Sequence, residues 1–122
     1  MNILHIEDDE VAQRALLRAL VRVSVSADLV QVSTLQEGVE SLKERRADLI
    51  VLDIHLPDTD DPIPLLKPHI PEGCGVVILA GRDLGEAFEK ARGYEVWQKH
   101  KVKNLMAQVV VLLPKLVKRV PL

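Results

Sequence analysis

The chain has 122 residues, 48% hydrophobic and 28% charged, which suits a single globular domain over residues 1–122 with a substantial core. A net charge of −2 argues against direct nucleic-acid binding, which needs clustered Lys and Arg; the basic residues are mostly spread out, although Lys99, Lys101 and Lys103 form a local group. The lone Cys74 excludes an intramolecular disulfide and a multi-cysteine metal site. With neither a signal peptide nor a long apolar span, the expected place is the cytoplasm, away from the membrane.

Asn2 to Ile6 reads as a short strand running into four acids, Glu7-Asp8-Asp9-Glu10. Asp9 can cap the helix that follows, to about Arg22, where Val11, Ala12, Ala15, Leu16, Ala19 and Leu20 recur at helical spacing. Asp28 to Ser33 is a second strand. Thr34 with Glu37 three residues on makes a capping box for a second helix, with Leu35, Val39 and Leu42 as its stripe, ending near Arg46. Leu49-Ile50-Val51-Leu52 is a continuous apolar run that ends on Asp53, as expected of a parallel strand covered on both faces.

Five of the seven prolines lie between Pro57 and Pro71. Pro62 and Pro64 fit a first helical turn, whereas Pro68 does not fit a helix interior, so the third helix is expected to be short, Pro62 to Lys67, or irregular. Val76 to Ala80 is a further buried strand. Asp83 can cap a fourth helix to about Arg92, closed by Gly93. Tyr94 to Gln98 is a fifth strand leading to Lys99. A last helix is expected from Lys101, interrupted by Pro114. Five strand–helix repeats with short connections predict an α/β, flavodoxin-like, doubly wound parallel sheet of order 2-1-3-4-5.

In that order the first and third strands are neighbours, so Glu7 and Asp8 share one sheet edge with Asp53. Three carboxylates there repel unless one is protonated or a cation binds. Oxygen-only ligands suit Mg²⁺ rather than zinc. Lys99, ending the fifth strand, can enter the same edge. Carboxylate, divalent cation and ammonium together suit an acyl-phosphate site with Asp53 as nucleophile and Lys99 on the phosphoryl oxygens. Backbone N–H groups after Asp53 can add donors. Asp53-Ile54-His55 lacks the second aspartate of a haloacid-dehalogenase-type phosphatase, which sets that class aside. His5 and Trp97 read as packing residues, and Cys74 as incidental.

Ile6-Glu7-Asp8-Asp9, the stretch Leu49 to Asp58 and the position of Lys99 together resemble the receiver domain of bacterial response regulators, across essentially the whole chain. The resemblance implies that Asp53 accepts a phosphoryl group from a histidine kinase or phosphotransfer protein with Mg²⁺ bound. Glu7 and Asp8 would be the acidic pair, Asp8 the more direct ligand, and the backbone carbonyl of His55 would complete the metal's protein ligands. Such domains hydrolyse their own phospho-aspartate slowly and are not conventional turnover enzymes. Two positions depart from the pattern: Ala80 stands where a Thr or Ser is usual, and Val96 where an aromatic is usual. His100 replaces the proline that usually follows the lysine.

The expected function is a phosphoryl-accepting receiver that signals to an unidentified output protein through protein–protein contacts. Alternatives are a pseudo-receiver whose contacts ignore phosphorylation, motivated by Ala80 and Val96, and a phosphate sink. Val109, Val110, Leu112, Leu113, Leu116 and Val117 are more apolar than one buried stripe needs, which suits either a homodimer or partner surface or a well-buried helix.

Overall fold

The apolar runs become the centre of a single parallel sheet. A computed structural model describes residues 1–22, 27–81 and 83–99. The strands are β1 (Asn2–Ile6), β2 (Asp28–Val32), β3 (Leu49–Asp53), β4 (Gly75–Ala80) and β5 (Glu95–Gln98). They lie in the order β2-β1-β3-β4-β5, every pair parallel. The helices are α1 (Glu10–Arg22), α2 (Leu35–Glu44), α3 (Pro62–Leu66) and α4 (Leu84–Ala91). This is the predicted flavodoxin-like topology. The predicted last helix, with its apolar surface, and His100 lie outside the described residues. No helix among the described residues is long and apolar enough to cross a membrane.

Every residue of β3 and β4 is buried, because successive side chains enter two separate layers. Ile50, Leu52, Val76, Ile78 and Ala80 pack with Leu35 of α2, Ile63 and Leu66 of α3, and Ala87 and Ala91 of α4. Leu49, Val51, Val77, Leu79 and Trp97 pack on the other face with Leu16, Ala19 and Leu20 of α1. The stripe of α1 is narrower than its apolar residues suggest. Val11 is 73% exposed and Ala15 is also exposed, because Leu16, Ala19 and Leu20 already cover the sheet there.

Local chemistry sets the helix ends. Thr34 Oγ1 accepts the Glu37 N–H and donates to the Glu37 carboxylate, a capping box closed through the side chains. A second cap comes from far along the chain: the Asp58 carboxylate accepts the Leu35 and Gln36 N–H groups, both at 3.0 Å. Those bonds outweigh desolvation and hold the Asp58 carboxyl below its ordinary range. Gly38 faces β1 so closely that an added Cβ would clash with Ile6, lying 2.9 Å from its Cγ1. Helix α3 stops at Leu66, one residue before the predicted end, and Pro68 sits in the short 3₁₀ turn Lys67–His69 that follows. Asp83 caps α4 through the Glu86 N–H. At the other end Arg92 and Gly93 both take positive φ, 50° and 90°. The strained Arg92 is held by its guanidinium, which makes paired hydrogen bonds of 2.7 and 2.6 Å to Asp61.

Candidate functional site

Parallel register carries four chemistry-bearing residues to one edge. Ile6 lies opposite Leu52, so Glu7 follows β1 beside the last residue of β3, Asp53. Asp53 lies opposite Leu79, and Ala80 opposite Gln98, which places Lys99 just past β5 on the same edge.

Asp53 is 2% exposed and Glu7 fully buried, whereas Asp8 is exposed. One carboxylate oxygen from each of Glu7, Asp8 and Asp53 falls within 4.8 Å of the others. Lys99 Nζ lies 2.8 Å from Glu7 Oε1 and donates to Asp53 Oδ2 at 3.2 Å. The contact to Glu7 has ion-pair distance without hydrogen-bond direction, so neither Glu7 oxygen has a directed partner. Asp53 Oδ1 accepts the His55 N–H at 3.0 Å. The Ile54 N–H is committed to Leu79 O at 3.3 Å. The two backbone donors expected after Asp53 are therefore both engaged, one by Asp53 itself.

Burial drives the Glu7 carboxyl up to about 8, with the Asp53 carboxylate adding to the rise and Lys99 opposing it. Burial alone would pull the Lys99 ammonium down, but Glu7 and Asp53 outweigh it and hold it above its usual value. Without metal, burial favours a protonated Glu7 at neutral pH, beside a charged Lys99. The cluster's donors are all carboxylate oxygens, one pair of them buried without directed hydrogen bonds. That set fits Mg²⁺ and offers nothing to a thiophilic metal.

A polar network beneath this edge was not visible as a sequence pattern. Gln13 Nε2 donates to the Glu7 carbonyl at 2.6 Å. Gln31 Nε2 donates to the Gln13 carbonyl at 2.8 Å and also faces His5 Nδ1 at 3.1 Å. With the Gln31 amide committed as a donor, His5 Nδ1 must accept, so the proton sits on Nε2. Burial holds His5 neutral, its pKa lowered to about 4. The only sign in the sequence was a polar residue, Gln31, directly across β1–β2 from His5.

The remaining predicted positions are distributed as follows. The His55 side chain points outward, its Nε2 4.0 Å from Glu86 Oε2. Ala80 is fully buried and Val96 half-buried against the layer of α2, α3 and α4. Trp97 is a core residue on the α1 side, as its packing reading anticipated. Cys74 is buried, and burial pushes its thiol up to about 12, so it is not a nucleophile.

No family model matches the sequence, and no curated protein matches it either. Solved structures do. The receiver domain of the stress response regulator RcsB from Escherichia coli superposes with a TM-score of 0.77 at 17% identity, over 100% of this chain and 98% of that one. A response regulator receiver domain from Rhodospirillum rubrum gives 0.73 at 22% identity, over 99% and 97%. The Salmonella typhimurium response regulator RcsB gives 0.76 at 15% identity, and there the match spans 99% of this chain but only 65% of that one. This chain has the receiver-domain fold. In the receiver fold the edge carrying Asp53 is where strand ends and their loops converge, the place where open α/β sheets put ligands.

Proposed function

We propose that the chain is a receiver whose Asp53 accepts a phosphoryl group from the phosphohistidine of a histidine kinase or phosphotransfer protein. The supporting observation is the convergence of a nearly buried Asp53 with Lys99 at 3.2 Å and the acidic pair Glu7 and Asp8 on the ligand-binding edge of a receiver fold.

In the transfer, an Asp53 carboxylate oxygen attacks phosphorus in line. The new O–P bond forms as the N–P bond breaks, and the bonding pair leaves on the imidazole nitrogen, which takes up a proton. Lys99, already on Asp53 Oδ2, would pair with the phosphoryl oxygens. The His55 N–H holds Asp53 Oδ1 and so orients the nucleophile. Glu7, Asp8, Asp53 and the backbone carbonyl of His55 would hold Mg²⁺. When bound, Mg²⁺ supplies positive charge to offset that of the phosphoryl oxygens. The signal would pass on through contacts with an output protein, in the cytoplasm.

A second reading is a module whose contacts ignore phosphorylation, and the buried methyl of Ala80 favours it. Residue 80 has no hydroxyl to bond a phosphoryl group, and Val96 is packed against the core rather than free to swing. A phosphate sink is the intermediate case, keeping transfer without relay.

The test is intact mass after incubation with a small-molecule phosphodonor, with and without Mg²⁺. One added phosphate that needs both Mg²⁺ and Asp53 is the expected result. No uptake, or equal uptake by Asp53→Asn, overturns the receiver reading.

A further inference from the structure

Asp8 presents a problem of aim. It is the exposed member of the acidic cluster, and among the described residues its carboxylate has no hydrogen-bond or ion-pair partner. A ligand held only by its own rotamers would lose entropy on every binding event. The backbone on either side of it, however, is pinned. The Glu7 N–H donates to Val32 O at 2.9 Å, and Asp9 O accepts the Gln13 N–H at 3.0 Å. The Asp9 carboxylate also accepts the Val11 N–H at 2.9 Å. Besides the side-chain torsions of Asp8 itself, what still decides its aim is the orientation of the peptide unit that joins Glu7 to Asp8. That unit is planar, so fixing its carbonyl fixes where the Asp8 N and Cα stand, from which its side chain departs.

The carbonyl is fixed by a side chain. Gln13 Nε2 donates to Glu7 O at 2.6 Å, at the short end for such a bond. Gln13 is itself tied to the sheet, its own carbonyl accepting from Gln31 on β2. The path from β2 through Gln31 and Gln13 to the Glu7–Asp8 peptide is continuous. We infer that Gln13 is a positioning residue that pre-aims Asp8 at the cation site. The inference rests on the receiver reading, because it assigns Asp8 to the metal. Supporting groups of this kind are commonly worth tenfold or more in metal affinity.

The experiment is Mg²⁺ titration calorimetry on the wild type and on Gln13→Met, which keeps length and removes the donor, with thermal melting of both in the absence of metal. The expected result is a dissociation constant raised about tenfold with the metal-free melting temperature little changed. A constant within about a factor of two of the wild type overturns the inference, while phosphate uptake by the wild type leaves the receiver reading standing. If the wild type neither binds Mg²⁺ nor takes phosphate, both fall together. The Gln13 side-chain amide resonance of the wild type gives a readout that needs no variant. It should shift along the Mg²⁺ binding curve, and a resonance that does not move also overturns the assignment.

Discussion

The two ends of this sheet solve the same problem in opposite ways. At the N-terminal edge of β1 and β3, the Asp48 carboxylate accepts the Asn2 N–H at 2.8 Å and the Asp48 N–H donates to Asn2 O at 2.7 Å. The Asn2 side chain bonds Arg46 O and Arg45, and Arg45 also pairs with Asp28. Acids and bases there find partners and stay partly in water. At the C-terminal edge, Glu7 is buried with both oxygens lacking a directed bond, and two carboxylates share one Lys99. Buried polar groups are ordinarily satisfied, because an orphan costs about 1–3 kcal/mol. One end of the sheet has its polar groups paired, and the other leaves polar demand unmet at the buried Glu7.

The contrast can be tested by removing its causes. The largest expected effect is that of the cation: at about 100 times its dissociation constant, Mg²⁺ should stabilise the wild type by about 2.7 kcal/mol. Glu7→Gln should lose most of that gain, and thermal melts with and without Mg²⁺ measure it. A full Mg²⁺ response in Glu7→Gln would mean that Glu7 is not part of the demand. Next comes Asp48→Ala at the satisfied edge, which strands the Asn2 N–H and should cost about 1–2 kcal/mol by denaturant unfolding. Its Mg²⁺ affinity should stay at the wild-type value, and a parallel loss would show that the two edges are not separate.

The smallest effect is in pH. Without a divalent cation, folded Glu7 keeps its proton up to about 8, against 4.5 for an ordinary glutamate. Across that interval the folded chain binds the extra proton, so stability falls as pH rises. His5 works the other way, since its folded pKa of about 4 lies below 6.5, and its share of stability is lost as pH falls through that window. Of these two groups, Glu7 alone still contributes above pH 6.5. Metal-free stability should drop by on the order of 1 kcal/mol between pH 6.5 and 8, and Glu7→Gln should flatten that slope.

Much of this was legible in the chain because it is written in local patterns. The continuous apolar runs before Asp53 and Ala80 suited strands covered on both faces, and the strand order expected from the repeats put Glu7, Asp8, Asp53 and Lys99 on one edge. Pro68 announced the end of α3, and the side chain of Asp83 the start of α4. What escaped was tertiary. Gln13 and Gln31 are ordinary polar residues until β2 is set beside β1 and α1 crosses both. The exposure of Val11 and Ala15 depends on how much sheet Leu16, Ala19 and Leu20 leave uncovered. Asp58 carried no capping signal, since no spacing rule links it to a helix start 23 positions earlier.

That last bond has a consequence for the order of assembly. The first turn of α2 is completed by a carboxylate from beyond β3, 22 and 23 positions along the chain from the groups it caps. What looks like a local capping event is a contact of high sequence separation, and its loop-closure entropy must be met before it contributes. Thr34 and Glu37 can start α2 alone. Its final anchoring, however, comes from the same loop that carries the residues after Asp53, so whatever moves that loop also loosens this helix end.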